Sequence, residues 1–70
     1  MGKNSVAKVI EVVGSSDENW ADAAERAVKS ASKTIKNITG VQVMHMTAQV
    51  KGGKIAAYKT TVKLAFGVED

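Results

Sequence analysis

The longest periodic stretch of the chain runs from Ser15 to Gly40 and predicts one amphipathic helix. Apolar residues recur there at three- and four-residue spacing, so they fall on one helix face, and charged residues fall on the other. The apolar face consists of Trp20, Ala23, Ala24, Ala27, Val28, Ala31, Ile35 and Ile38. Ser15 or Ser16 is expected to cap the helix start, and Gly40 to end the helix in a left-handed conformation.

Three other segments have the composition or the two-residue period of β-strands. Val6–Val13 is rich in β-branched residues and is too short for a helix. Val41–Lys51 and Lys54–Val68 alternate between two faces. The face of the last segment that is expected to pack on the helix consists of Ala56, Tyr58, Thr60, Val62, Leu64, Phe66 and Val68.

Two local signals lie in the second half of the chain. The apolar set changes parity between Val43 and Met44, which predicts a β-bulge in that strand. Gly52-Gly53 predicts a two-residue hairpin turn, because both positions of such a turn favour positive φ.

The order strand, helix, strand, strand predicts an α+β fold in which a three-stranded, mostly antiparallel sheet curls around one helix. The 70 residues form a single domain, residues 1–70. A chain of this size buries only about 60% of its unfolded surface, and one helix leaves the second face of the sheet bare. We therefore expect the chain to gain buried area by self-association.

Composition narrows the classes of function. The net charge is +3, but the basic residues are scattered, and the aromatic residues that nucleic-acid binding would favour are only Trp20, Tyr58 and Phe66. No apolar run approaches the roughly 20 residues of a membrane span. The absence of cysteine and of an apolar signal segment leads us to expect a cytoplasmic protein.

Candidate catalytic and metal-binding residues are few. His45 is the single histidine and has no carboxylate at a readable spacing to orient it, so we expect no enzyme. Asp17, Glu18, Asp22 and Glu25 could be a metal cluster, but their positions fit a helix start better, and we expect no metal. Trp20 is expected to pack in the core or at a subunit interface.

The chain resembles the dodecin family over nearly its whole length. The segments that carry the resemblance are KVIEVVGSS at Lys8–Ser16, WADAAERAVKSASKTIKNI at Trp20–Ile38, V-x-V at Val41–Val43 and YKTTVKLAFGVED at Tyr58–Asp70. The resemblance implies a β-α-β-β subunit that assembles with eleven copies of itself as a hollow dodecamer. It also implies flavin bound as stacked pairs between subunits, for storage and protection without turnover.

This chain departs from the flavin-binding pattern of the family. Gly40 stands where the resemblance places a flavin-stacking tryptophan, and Lys59 where it places a glutamine that hydrogen-bonds the flavin ring edge. His45 stands at a position that is acidic in some members. The positions that the resemblance assigns to a ligand are Gly40, Val41, Gln42, His45, Thr47, Tyr58, Lys59 and Thr61.

Losing the tryptophan is expected to weaken flavin binding strongly. An aromatic platform buries ~150–250 Å² at ~25 cal/mol per Å², which amounts to several kcal/mol per ring. Lys59 also replaces an amide that both donates and accepts with a side chain that only donates. We therefore expect weak or lost flavin binding, and the ligand is not identified by the sequence.

Three hypotheses of function follow. The first is a homo-oligomeric shell that binds or sequesters another small ligand at subunit interfaces. The second is retained flavin storage, and the third is a basic interaction module for nucleic acid. Lys59, Thr61 and Lys63 recur on the non-helical face of the last strand, where converging subunits could hold an anion.

Overall fold

The computed structural model describes residues 6–68. Its elements are β1 (Val6–Ser16), α1 (Trp20–Ser32), β2 (Ile38–Lys51) and β3 (Lys54–Val68). The three strands form one sheet in the order β1-β3-β2, and both pairings are antiparallel. The predicted β-α-β-β order and three-stranded antiparallel sheet are confirmed.

The helix begins later than the sequence pattern predicted. Asn19 is the N-cap, with extended backbone (φ −169°), and its side-chain oxygen accepts a hydrogen bond from the Asp22 amide at 2.7 Å. The predicted caps, Ser15 and Ser16, instead belong to β1. The prediction was wrong because β1 keeps pairing with β3 as far as Ser16, opposite Tyr58, and the helix begins only at Trp20.

The helix also ends earlier than predicted, and Gly40 does not end it. The last helical residue is Ser32, and the left-handed residue before β2 is Asn37, with φ 66°. Asparagine adopts this conformation more readily than most other non-glycine residues. Ile38 therefore begins β2, and Gly40 lies within β2 opposite Ala65.

The core lies between α1 and the strands β1 and β3. Val62 and Leu64 of β3 are completely buried, and Ala23 and Ala27 of α1 pack above the sheet. Partly buried apolar residues surround this centre, namely Ile10, Val12, Ala24, Val28, Ala31 and Ile38. The prediction that this face of β3 packs on the helix is confirmed.

The predicted bulge and hairpin turn are both present. The register of β2 shifts between Val43 and His45, so Met44 is the extra residue. Gly52 and Gly53 have φ 58° and 76°, as a type I′ turn requires. Because of the bulge, Val41, Val43 and Met46 point to the same side of the sheet despite their uneven spacing.

The subunit is elongated. Its principal extents are 53 × 20 × 13 Å, and its radius of gyration is 14.5 Å, against about 11 Å for a compact domain of this length. Pairing with β1 stops at Tyr58, so the end of the β2–β3 hairpin, residues 49–57, is two-stranded. Among the described residues no helix is long and apolar enough to cross a membrane.

Candidate ligand-binding face

The side of the sheet that faces away from α1, here called the outer face, is organised in rows across three strands. Residues opposite each other in an antiparallel pair lie on the same face. Lys59, Thr61, Lys63 and Ala65 of β3 each have one partner on β1 and one on β2. The resulting rows are Val9–Ala65–Gly40, Glu11–Lys63–Gln42, Val13–Thr61–His45 and Ser15–Lys59–Thr47.

A shallow depression of about 250 Å³ lies at Gly40. It is lined by Val9, Gly40, Val41, Gln42, Lys63 and Ala65. A Cβ atom built on Gly40 would meet only the Cβ of Ala65, at 3.8 Å, which is ordinary van der Waals contact. Neither backbone geometry nor packing within the subunit requires glycine here, so Gly40 leaves space that a larger side chain would fill.

Polar groups lie next to this depression. Lys63 is half-buried between Glu11 and Gln42, and Lys59 is half-buried between Ser15 and Thr47. In the part of the chain that the structure describes, the one ion pair joins Arg26 to Asp22, so neither lysine has a carboxylate within 4 Å. The outer face therefore offers cationic donors together with amide and hydroxyl groups, which suit an anionic or carbonyl-bearing ligand.

The structure divides the ligand positions implied by the family resemblance between the two sides of the sheet. Six of them lie on the outer face, namely Gly40, Gln42, His45, Thr47, Lys59 and Thr61. Val41 pairs with Leu64 on the helix side, although it reaches the rim of the Gly40 depression. Tyr58 also lies on the helix side, opposite Ala48.

Tyr58 packs against Trp20 instead of facing outward. The two rings meet edge to face, with centroids 4.9 Å apart and an interplanar angle of 82°. The indole Nε1 donates to the backbone oxygen of Thr47 at 2.7 Å, which fixes the ring over the end of the sheet. Trp20 therefore packs within the subunit.

The aromatic side chains are consequently all on one side. Trp20, Tyr58 and Phe66 lie on the helix side of the sheet, Phe66 being opposite Ile38 in β2. On the described outer face the imidazole of His45 is the only ring. No phenyl, phenol or indole group is available there as a stacking platform for a flat ligand.

Sequence reasoning did not include Val9 and Ala65 among the site residues. Ala65 is a small residue in an alternating strand, and Val9 lies more than 50 residues before Ala65 in the chain. They meet Gly40 only because β3 is the central strand, which brings β1 and β2 to its two sides. Predicting this strand order from the sequence would have placed Val9 and Ala65 beside Gly40.

One acidic residue near the helix start, Asp22, joins the end of β1 to the first turns of the helix. The Asp22 carboxylate accepts from the Ser16 hydroxyl at 2.6 Å and from Arg26 Nε at 2.7 Å. These hydrogen bonds, first from Ser16 and then from Arg26, hold the pKa of the Asp22 carboxyl below its ordinary value of 3.8. Among the described residues no three potential ligands of the His, Cys, Asp and Glu types come together.

These features define a class of protein. It is a small β-α-β-β subunit with one helix packed over β1 and β3 and an open outer face bearing a depression and polar side chains. The dodecin family model matches residues 6–69, and the chain belongs to the dodecin family.

Solved structures agree with this assignment. The dodecin of Streptomyces coelicolor is 30% identical, with a TM-score of 0.94 and 99% of both chains covered. The dodecin of Streptomyces davaonensis is 28% identical, with a TM-score of 0.92 and coverage of 97% of this chain and 100% of the other. No curated protein matches the sequence significantly.

A mycobacterial relative carries a further property. The calcium dodecin of Mycobacterium tuberculosis, described as a calcium-chelating antigen with a novel calcium-binding site, is 31% identical over 91% of both chains, with a TM-score of 0.80. Membership of the family supports small-ligand binding by a dodecin-like protein.

Proposed function

We propose that this protein is a non-enzymatic, homo-oligomeric dodecin that holds a small ligand other than a flavin on its outer face, between subunits. The proposal includes assembly as a dodecamer and a cytoplasmic location. The ligand positions are the outer-face residues around Gly40, completed by Val9, Lys63 and Ala65.

The observation that supports this proposal most strongly is the absence of an aromatic platform on the described outer face. The depression at Gly40 is walled by aliphatic and polar side chains, and Tyr58 is engaged with Trp20 on the other side. An aromatic platform contributes several kcal/mol per ring, and each 1.4 kcal/mol is about tenfold in affinity. Affinity for a flavin should therefore be lower by orders of magnitude than in a dodecin that stacks the flavin on tryptophan.

Self-association is supported by the surface of the single subunit. Among residues 6–68, eight large apolar side chains are exposed by about half or more. They are Val6, Val9, Val13, Val41, Val43, Met46, Val50 and Ile55. The two-stranded end of the β2–β3 hairpin would be marginally stable in water without further packing. Other copies of the chain would cover both the exposed apolar residues and the end of the hairpin.

Retained flavin storage is the alternative favoured by membership of the family. On this alternative, Tyr58, Val41 and other residues would form the flavin pocket, although Tyr58 and Val41 both lie on the helix side of the sheet. The two functions differ in the affinity expected for a flavin, so a flavin titration distinguishes them.

The test is a riboflavin titration followed by flavin fluorescence, with the wild-type protein and the double variant G40W/K59Q. The wild type should leave riboflavin fluorescence unquenched at low micromolar protein, and the double variant should quench it. V50W/K59Q is the matched control, because it adds the same indole to β2 far from the depression. Strong quenching by the wild type would contradict the proposal and favour flavin storage.

A further inference from the structure

The central strand carries a cation on the outer face that has only hydroxyl neighbours in its row. Lys59 lies between Ser15 of β1 and Thr47 of β2. It is half-buried because neighbouring strands flank it on both sides. Within residues 6–68 the one ion pair is that of Arg26 with Asp22, so no carboxylate lies within 4 Å of Lys59. A partly buried ammonium group in such a setting is stabilised by an added anion.

A second lysine lies on the same face, at the edge of the Gly40 depression. Lys63 lines the depression and is separated from Lys59 by about 13 Å along the strand, at 3.3 Å per residue, with Thr61 halfway between them. Glu11 lies opposite Lys63, does not form an ion pair with it, and is the one acidic residue in the four rows of the outer face. The rows therefore carry two cations and one anion, and both cations are on β3.

The depression beside Lys63 is aliphatic. Ala65 and Val9 line it, and Val9 is 57% exposed in the subunit. Gly40 contributes no side chain and leaves the space above Ala65 open. A hydrocarbon chain placed there would remove apolar surface from water on both sides of the contact, which is favourable.

We propose that the ligand held on the outer face is an aliphatic anion, with a carboxylate or phosphate head group bound by Lys59 and Lys63 and a hydrocarbon chain in the Gly40 depression. This inference rests on the proposed function and adds the chemical class of the ligand. The head group lies over Thr61, where the hydroxyl group can donate to it and the flexible four-carbon stems of both lysines can bring their ammonium groups. The hydrocarbon chain then runs past Lys63 toward Ala65, about 13 Å along the strand from Thr61 at 3.3 Å per residue.

Other classes of ligand fit this face less well. A flat aromatic ring has no phenyl, phenol or indole group to stack on among the described outer-face residues. A nucleic acid would favour a continuous basic surface with interleaved aromatic residues, whereas Glu11 and the aliphatic depression interrupt this one. An inorganic anion would satisfy the lysines and leave Val9 in water.

The test measures binding of small probes to the assembled full-length protein by isothermal titration calorimetry and saturation-transfer difference NMR. The probes are octanoate and octyl phosphate, with octan-1-ol as the neutral ligand of the same chain length, and acetate and inorganic phosphate as head groups without the chain. At least one of the two octyl anions should bind about tenfold or more tightly than octan-1-ol and than its own head group. The tighter of the two identifies the head group.

A double variant tests the two lysines. Lys59→Gln combined with Lys63→Gln should weaken binding of the octyl anion by about tenfold or more, because it removes both cations and keeps polar side chains. K51Q/K54Q is the matched control, since it removes the same charge from the two lysines that flank the hairpin turn, and it should leave the affinity unchanged. Circular dichroism and light scattering report the fold and mass of each variant.

A second pair of variants tests the depression. Gly40→Leu fills the space for the hydrocarbon chain and should weaken binding of the octyl anion. Gln49→Leu is the matched control, because it places the same side chain on β2 at an exposed position nine residues further along, and it should have no effect. The probe series on the wild-type protein stands without these variants, should either of them fail to assemble.

Four results would overturn the inference. Equal affinities for octan-1-ol and the octyl anions would show that the cations do not bind the ligand, as would unchanged binding by K59Q/K63Q. Head groups that bind as tightly as the octyl anions would show that the depression does not hold a chain. A protein that binds neither octyl anion and also leaves riboflavin fluorescence unquenched would contradict this ligand class, with the proposed function intact. Strong quenching of riboflavin by the wild type would instead overturn the proposed function together with this inference.

Discussion

Gly14 of β1 lies directly against the backbone of Ala23 in α1. A Cβ atom at Gly14 would come within 1.9 Å of the Ala23 carbonyl oxygen and 3.0 Å of the Ala27 Cβ. The helix can approach the sheet this closely only because residue 14 has no side chain. This contact fixes the helix over β1, and it is one reason why β2 is left uncovered on the helix side.

Gly14→Ala should therefore destabilise the subunit strongly. The obstacle is backbone and not the end of a flexible side chain, so the cost should reach or exceed the ~1–3 kcal/mol typical of overpacking. Chemical denaturation followed by circular dichroism measures it. Gly67→Ala is the control, since a Cβ there meets nothing within 4 Å, and it should change stability by less than about 0.5 kcal/mol. Equal effects of the two substitutions would contradict the packing described.

Thr60→Val should cost about 0.5–1.5 kcal/mol, although the two side chains have nearly the same shape. Thr60 is 1% exposed, and its hydroxyl donates to the Trp20 carbonyl oxygen at 2.8 Å, joining the middle of β3 to the helix start. Thr61→Val, one residue along on the outer face, is the matched control and should be nearly neutral. Thermal unfolding of the two variants makes the comparison, and a costlier T61V would mean that the faces of β3 are reversed.

Trp20→Phe should cost a similar amount, about 0.5–1.5 kcal/mol, because the indole donor to the Thr47 carbonyl is lost while a ring is kept. Combining Trp20→Leu with Tyr58→Leu, each of which removes one ring, measures the ring contact by a double-mutant cycle. Edge-to-face pairs couple by about 0.5–1.5 kcal/mol, so the two substitutions should not be additive. Full additivity would show that the two rings do not touch in solution.

The stability of the subunit should fall in acid as Asp22 is protonated. Its pKa is lowered by Ser16 and Arg26, so the ionised form stabilises the folded state. That contribution is complete above the ordinary pKa of 3.8 and is lost as the pH falls below it. Asp22→Asn should be less stable than the wild type at pH 6, and the difference should shrink between pH 4 and pH 2.

Glu25→Gln is the control for this pH dependence, because it removes the same charge from the same helix without removing the Ser16 and Arg26 contacts. Its unfolding free energy should follow that of the wild type across the acid range. A D22N variant that remains equally far below the wild type down to pH 2 would show that ionisation of Asp22 is not the cause.

Local signals in the sequence were sufficient for β3, the hairpin and the bulge. Alternation in β3 is regular because one face of the strand meets the helix along most of the strand's length. Gly52-Gly53 specifies the hairpin turn because both residues readily adopt positive φ. The parity change at Val43 and Met44 was visible because the apolar residues themselves change face there. The helix ends were not predictable in this way, since β1 pairing extends to Ser16 and an asparagine, Asn37, takes the left-handed position.

The candidate site could be predicted only in part, because most of it depends on contacts between distant segments. The polar positions of β2 and β3 share the outer face through local alternation and the hairpin. Val9 reaches the Gly40 depression through pairing of β1 with the far end of β3, which no local pattern encodes. Alternation in β3 already places Tyr58 on the helix side, and long-range packing adds only its contact with Trp20.

The most direct test of the account is the mass of the purified protein in solution, measured by size-exclusion chromatography with multi-angle light scattering. One subunit has a mass of 7.4 kDa, and the account predicts a single species of about twelve times that mass. A stable species of one subunit mass, unchanged on raising the protein concentration, would contradict it. The exposed apolar side chains of β2 (Val41, Val43 and Met46) and the end of the hairpin would then face water without a partner.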